Sequence, residues 1–365
     1  LSRPARTVLS FLPMLLGQGV VAYTLAQRHE SVVWREGSGM FLTLSVGACI
    51  ALIGQTYHIP GNLASFLLVW ALLALPLVYL LNASGVAGLY LVGIVAWAGS
   101  EQWQGSHALG YWPLLLLVLP HLYLVGRRDT GAPRFHVLSW TLCATLSVAV
   151  GIVLEKALPG LWTLAYSALF TILFLLGRQG ELAHRSFRVA GSVGTVVLAL
   201  IFTSAWPWDD VGIGYYRHAP SYHEWAAVQD YMMCIGLYLA VGLLAARSLR
   251  ERDYHSLAWV SLPALSAVAY TLINVYVPEN AVLGMFNLYL LALGILTIID
   301  GVQQGSLARA NFGMAILSAL LLARFFDADL DFTLRGVLFI LLGVGFLATN
   351  VLLGQRLRKQ REIGS

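Results

Sequence analysis

The sequence predicts an all-α fold, a polytopic transmembrane helix bundle in which about thirteen helices fill a single transmembrane domain over residues 1–365. Three observations predict it. Hydrophobic residues make up 58% of the chain and charged residues only 11%, a balance too apolar for water as the solvent. Apolar runs of spanning length recur from end to end between short loops, leaving no room for a separate soluble domain. The basic residues fall mainly in alternate loops, as membrane topology requires.

Spans of about 17 to 25 mostly apolar residues, with a few shorter ones between close turns, place the helices in order. The first five are expected near 7–28, 38–59, 63–82, 84–100 and 112–126. Pro60-Gly61 ends the second and turns the chain at once into the third. The next four are expected near 137–154, 161–177, 187–205 and 223–246, with Glu155 and Lys156 closing the sixth. The last four are expected near 256–277, 281–300, 307–326 and 333–354.

This layout puts sixteen of the 22 basic residues on one side, in the loops around Arg28, Arg127, Arg178, Arg247 and Arg309 and in the tail. The other six are Arg3, Arg6, Lys156, Arg217, Arg324 and Arg335. The positive-inside rule then predicts a cytoplasmic C-terminus and an external residue 1. An external start without a cleavable leader predicts one more helix upstream, about fourteen in the intact protein. The net charge of +4 is explained by these loops, so no nucleic-acid partner is expected. Trp103, Tyr111, Trp112, Trp206, Trp208, Tyr215, Tyr216 and Trp225 fall at external span ends and read as an aromatic belt.

The segment from Gly47 to Asn62 is the most informative. Gly47, Ala51, Gly54 and His58 recur at helical spacing, a face that lets another helix approach. Gln55 and His58 are adjacent on the helix surface, and Gln55, Tyr57, His58 and Asn62 are expected to aim a polar cluster into the bundle at its external end. Two readings stand: hydrogen bonds that pin helix packing, or a substrate-binding site with His58 as ligand or proton acceptor.

The longest external loop, 206–225, gathers Asp209, Asp210, Arg217, His218, His223 and Glu224. Its spacing matches no zinc pattern and no metal is expected; Ser221 and Glu224 have capping-box form, and a lid or interfacial role is the functional alternative. Arg324, Asp327, Asp329, Asp331 and Arg335 straddle the last external turn. They have the spacing of local ion pairs, and Arg324 with Asp327 is also a candidate for substrate contact. Asn274, Asn287 and Tyr270 are expected to bond between helices, and Gly294, Gly301 and Gly305 to mark close helix contact.

Cys49, Cys143 and Cys234 lie in separate spans and read as small apolar fillers. The chain has no Walker A loop, H-E-x-x-H, Rossmann glycine fingerprint, G-x-S-x-G elbow, Arg ladder or T-V-G-Y-G filter. No cofactor is expected.

The run Ala51-Leu-Ile-Gly-Gln-Thr-Tyr-His-Ile-Pro-Gly-Asn62, followed by Leu67-Leu-Val-Trp-Ala-Leu-Leu-Ala-Leu-Pro76, resembles the hallmark of a family of bacterial inner-membrane proteins, domain of unknown function 2157. Gly54, Gln55, Tyr57, His58, Gly61, Trp70 and Pro76 occupy the matching positions, and the resemblance covers about the first 100 residues. It implies a bacterial inner-membrane location and a further membrane helix upstream; it implies no activity. Residues 322–330 and 335–343 resemble the C-terminal part of longer relatives.

Three function classes follow. The first is a carrier or flippase-like protein for a small amphiphile or lipid-linked molecule. The second is a structural, sensory or accessory subunit with a membrane-protein partner, and the third an enzyme on lipid-linked glycans or headgroups using the 206–225 loop. Membrane lipids are the expected surroundings in all three.

Overall fold

The computed structural model describes residues 3–105, 108–128, 130–154, 160–178, 184–209, 211, 224–250, 256–275 and 277–325, with scattered positions between 333 and 351. The described residues form helices and no strand, in the predicted order. They are α1 (Arg3–Gln27), α2 (Val32–Tyr57), α3 (Leu63–Leu81), α4 (Ser84–Trp103), α5 (Tyr111–Arg128), α6 (Pro133–Val153), α7 (Leu161–Leu176) and α8 (Arg185–Phe202). After the single turn α9 (Trp206–Asp209) come α10 (Glu224–Arg250), α11 (Leu257–Asn274), α12 (Glu279–Gln303) and α13 (Leu307–Phe325), and helical positions recur from 333 to 351.

Among the described residues, nine helices are long and apolar enough to cross a membrane. The three other long helices have physical reasons for falling short. The α4 helix is polar at its end, through Ser100, Glu101 and Gln102, and is buried among neighbours that relieve it of facing lipid. The α5 helix ends in Arg127 and Arg128, and α7 has 16 residues. The outward surface is apolar, with Leu16, Val33, Leu116, Leu239, Leu243 and Leu288 exposed, the inverse of a soluble domain.

The chain divides into two compact units. Unit 1 comprises residues 1–155 and 176–188, and unit 2 comprises residues 156–175 and 189–365. In unit 1, α1 packs on α2, α3 on α4, and α4 on α6. The α2 helix starts six residues before the expected 38, because Ser31 caps it through the Trp34 N–H and keeps Arg35 and Glu36 helical. Trp70 of α3 lies against Gly47 of α2 and Gly93 of α4, where a Cβ would meet its ring at 2.9 and 3.2 Å, and its Nε1 donates to the Thr43 carbonyl at 2.8 Å. The small residues make space for the largest side chain of the motif.

In unit 2, α12 and α13 form the most extensive helix pair. A Cβ on Gly301 would stand 2.4 Å from the Ala310 backbone nitrogen, and one on Gly313 would stand 2.7 Å from the Gly294 carbonyl. The expected close approach at Gly294 and Gly301 is therefore found, while Gly305 serves the turn with φ 63°. Asp300 closes the same hairpin through Arg309 at 2.8 Å and Gln304 at 2.5 Å. An aromatic core of Phe202, Trp208 and Phe286 packs beneath the stacked pair Trp162 and Trp206.

Two expected belt residues belong to the interior instead. Trp208 is 2% exposed and its Nε1 donates to the Phe202 carbonyl; Tyr111 is fully buried. Trp103 and Trp206 do face outward. Proximity to a span end placed all four alike, but it does not distinguish a ring turned to headgroups from one turned to a neighbouring helix. Tyr215 and Tyr216 lie outside the described residues.

Candidate functional site

The Gln55–His58 turn is local in origin. His58 adopts left-handed backbone geometry, φ 53° and ψ 39°, and the Ile59 N–H closes back to the Gly54 carbonyl at 3.0 Å. This is a Schellman-type stop with a histidine where glycine is usual. Pro60 then forbids further helix. Gln55, Tyr57 and His58 are exposed, with Tyr57 at 52%, so they form a rim and do not turn into unit 1. Tyr57 Oη and Thr7 Oγ1 are 2.9 Å apart, tying the turn to α1.

The glycine face behaves unevenly. Gly47 is needed for Trp70, whereas a Cβ on Gly54 would meet nothing within 4 Å. Asn62 caps α3 by accepting the Ser65 N–H at 2.7 Å, and its Nδ2 donates to Gln104 at the end of α4, at 3.0 Å. Both functions of its amide are thus structural.

Buried polar groups of unit 1 collect at the opposite end of α2, about 33 Å from His58 for 22 residues at 1.5 Å each. Ala83 has no side chain to cap α4, and Glu36 of α2 supplies the acceptor: its two oxygens take the Ser84 and Gly85 N–H groups at 2.7 Å each. Ser84 Oγ lies 3.4 Å from Nε2 of the buried His121 in α5. A second cluster joins α6 to the start of α8. Ser139 Oγ and Ser186 Oγ are 2.6 Å apart, and His184 Nδ1 lies 2.5 Å from Ser186 Oγ while accepting the Ser186 N–H at 3.2 Å. His184 thereby caps α8 with an imidazole lone pair, and burial, with the nearby His136, pushes its pKa down.

Sequence reasoning missed these groups. Cross-helix partners 37 to 49 residues apart, such as Glu36 with Gly85 and Ser84 with His121, leave no periodic trace.

In unit 2, Arg324 of α13 donates from Nη2 to the Thr203 carbonyl at the end of α8. Asp327 lies outside the described residues, as do Asp210, Arg217, His218 and His223. Of the loop candidates, Asp209 is exposed on α9 and Glu224 begins α10. Asn274 and Asn287 donate to the Tyr270 and Leu283 carbonyls of their own helices, at 2.7 and 2.8 Å. This corrects the expectation of bonds between helices; the carbonyl four residues back is the acceptor nearest to a short amide.

A polar seam runs through unit 2 that no sequence motif marks. Asp230, Cys234 and Tyr238 follow one another at spacing four on α10, and Asp230 is 1% exposed within a helix apolar enough to span a membrane. Cys234 follows Asp230 by one helical turn, and Tyr270 of α11 lies near Cys234. Tyr238 donates to the Pro263 carbonyl of α11 at 2.8 Å and bonds to Ser167 of α7. The signal available was a carboxylate several residues inside an apolar run. Cys49, Cys143 and Cys234 are buried and free, in keeping with packing roles, and Cys234 also lines this seam.

Compared with known proteins, the chain matches no curated protein and no solved structure. Residues 1–87, from the start of the chain through the Gly54–Asn62 turn and the Trp70–Pro76 helix, match the model of the family described as predicted membrane protein (DUF2157).

Proposed function

We propose that this integral membrane protein is a carrier of a small amphiphile or lipid-linked molecule, seated in a bacterial inner membrane with its C-terminus in the cytoplasm. The observation that carries the reading is Asp230, a carboxylate 1% exposed inside an apolar helix. Asp230 stands near the start of the span Val228–Arg250 and is nonetheless turned inward, and ionisable side chains that face the interior of a membrane bundle line substrate and ion paths. Cys234, Tyr238 and Tyr270 extend polar chemistry from it across α10 and α11, a lining suited to a substrate with one polar end.

Reconstitution tests it. Liposomes containing the full chain should move fluorescent headgroup-labelled lipids or small amphiphiles faster than empty liposomes, and Asp230→Asn should slow them at least about tenfold if the seam is the path. Transport equal to wild type in Asp230→Asn, with the chain folded, would remove the seam from the mechanism.

A second reading, an accessory subunit, is favoured by the exposed rim of Gln55, Tyr57 and His58. Exposed aromatic and imidazole groups at a rigid helix stop suit docking of a membrane partner. Co-purification of a stoichiometric partner that is lost on Tyr57→Ala would favour this reading over the carrier.

A further inference from the structure

On α7, Thr163, Ser167 and Thr171 follow one another at spacing four, and all three are fully buried. Phe174 lies two turns beyond Ser167 on the same side of the helix and stacks on Trp259 of α11 at 5.0 Å. Tyr238 of α10 donates to Pro263 of the same α11, one turn beyond Trp259, and meets Ser167. The hydroxyl row of α7 thus stands opposite the row of α10 that starts at Asp230. Most of the hydroxyl protons are already used on backbone carbonyls: Thr163 donates to Gly160 at 2.7 Å, Ser167 to Leu164 at 2.8 Å and Tyr238 to Pro263 at 2.8 Å. What these groups present to a ligand is lone pairs. Thr171 differs, because its Oγ1 is buried and meets no hydrogen-bond partner among the described residues. Thr195 of α8 is alike, fully buried with its Oγ1 unmet among them, one turn beyond Gly191, which lies against the Phe174 backbone.

We propose that the ligand of this seam carries an uncharged polyhydroxyl head, a sugar or glycerol group on an apolar tail. Its hydroxyls donate to the oxygens of Ser167, Tyr238 and Asp230, and its own oxygens accept from Thr171 and Thr195. A buried hydroxyl without a partner destabilises the fold, and an occupant that supplies the missing acceptor relieves that cost. A trimethylammonium head has no hydrogen to donate, and a phosphate brings further acceptors and negative charge to a row of acceptors. The proposal rests on the carrier reading of the Asp230 seam and adds to it the class of head group.

The test uses the full chain purified in a polyoxyethylene detergent, which has no sugar, and measures binding of radiolabelled decyl glucoside by scintillation proximity. Saturable binding is expected, displaced by unlabelled decyl glucoside and not by decyl phosphocholine or decylamine, which share the tail. Thr171→Val should weaken it about tenfold, the loss of one hydrogen bond in a buried site, with an unfolding midpoint at or above wild type because an unmet hydroxyl has gone. Thr171→Ser should bind as wild type does. If Thr171→Val does not fold, Thr195→Val reads the same loss. Thr297→Val, which removes a buried hydroxyl of α12 already satisfied by the Leu293 carbonyl at 2.6 Å, should leave binding unchanged. No saturable binding, equal displacement by either of the other heads, or wild-type affinity in both Thr171→Val and Thr195→Val overturns the proposal. Binding that is lost in Thr171→Val, without movement of decyl glucoside across liposomes, would support the site and remove the carrier reading. Movement of decyl phosphocholine that depends on Asp230, without glucoside binding, would keep the carrier and overturn the head group.

Discussion

The Glu36 carboxylate of α2 accepts the Ser84 backbone N–H at 2.7 Å, capping a helix that begins 48 residues later. It joins two elements whose sequence neighbours give no hint of the partnership. Glu36→Ala should destabilise the protein by about 1–2 kcal/mol, the cost of an uncapped helix start, and Glu36→Gln by less because one acceptor remains. Thermal unfolding in detergent reads both; equal stability of all three proteins would contradict the cap.

The two glycines of the α2 face should respond in opposite senses. Gly47→Val pushes a side chain into Trp70 and should cost about 1–3 kcal/mol. Gly54→Ala meets nothing and should stabilise by up to about 1 kcal/mol through helix propensity. Denaturant or thermal midpoints of the two variants, side by side, distinguish a packing glycine from a tolerated one.

His184 predicts a pH dependence with a definite sign. Its folded pKa is pushed below the ordinary value by burial and by His136, so the unfolded chain takes up a proton first as pH falls. Its contribution to stability should be intact above the unfolded value of about 6.5 and decline as pH falls towards the folded pKa. Protonation would also remove the lone pair that accepts the Ser186 N–H. Unfolding midpoints measured from pH 7.5 to pH 5 should fall more steeply for wild type than for His184→Asn, which keeps a neutral cap.

Arg324 and Thr203 give a fourth expectation. Removing the guanidinium with Arg324→Ala leaves the Thr203 carbonyl without that donor and should destabilise unit 2 by about 1–3 kcal/mol. A loss of transport in Arg324→Ala with no loss of stability would instead favour substrate contact.

The helices and their order were legible in sequence, since each expected span up to residue 326 became a helix among the described residues, while the expected span 333–354 lies mostly outside them. So were the crossing at Gly294 and Gly301 and the stop at Pro60. What was not legible was facing. In a soluble helix, apolar periodicity points to the core; here lipid and interior are both apolar, so Gly47 and Gly54, or Trp206 and Trp208, look alike until their neighbours are known. Polar residues misled for a related reason. The turn at Gln55–His58 was conspicuous because it is contiguous, whereas Glu36, Ser84, His121, Ser139 and His184 are scattered along the chain and meet only in three dimensions.

At residue 58 the backbone would rather have glycine. A side chain in the left-handed region costs about 1–2 kcal/mol, so His58→Gly should hold the helix stop at least as firmly while deleting the ring. Few positions allow an imidazole to be subtracted without weakening its scaffold. Whatever His58→Gly loses in the cell is therefore chemistry and not architecture.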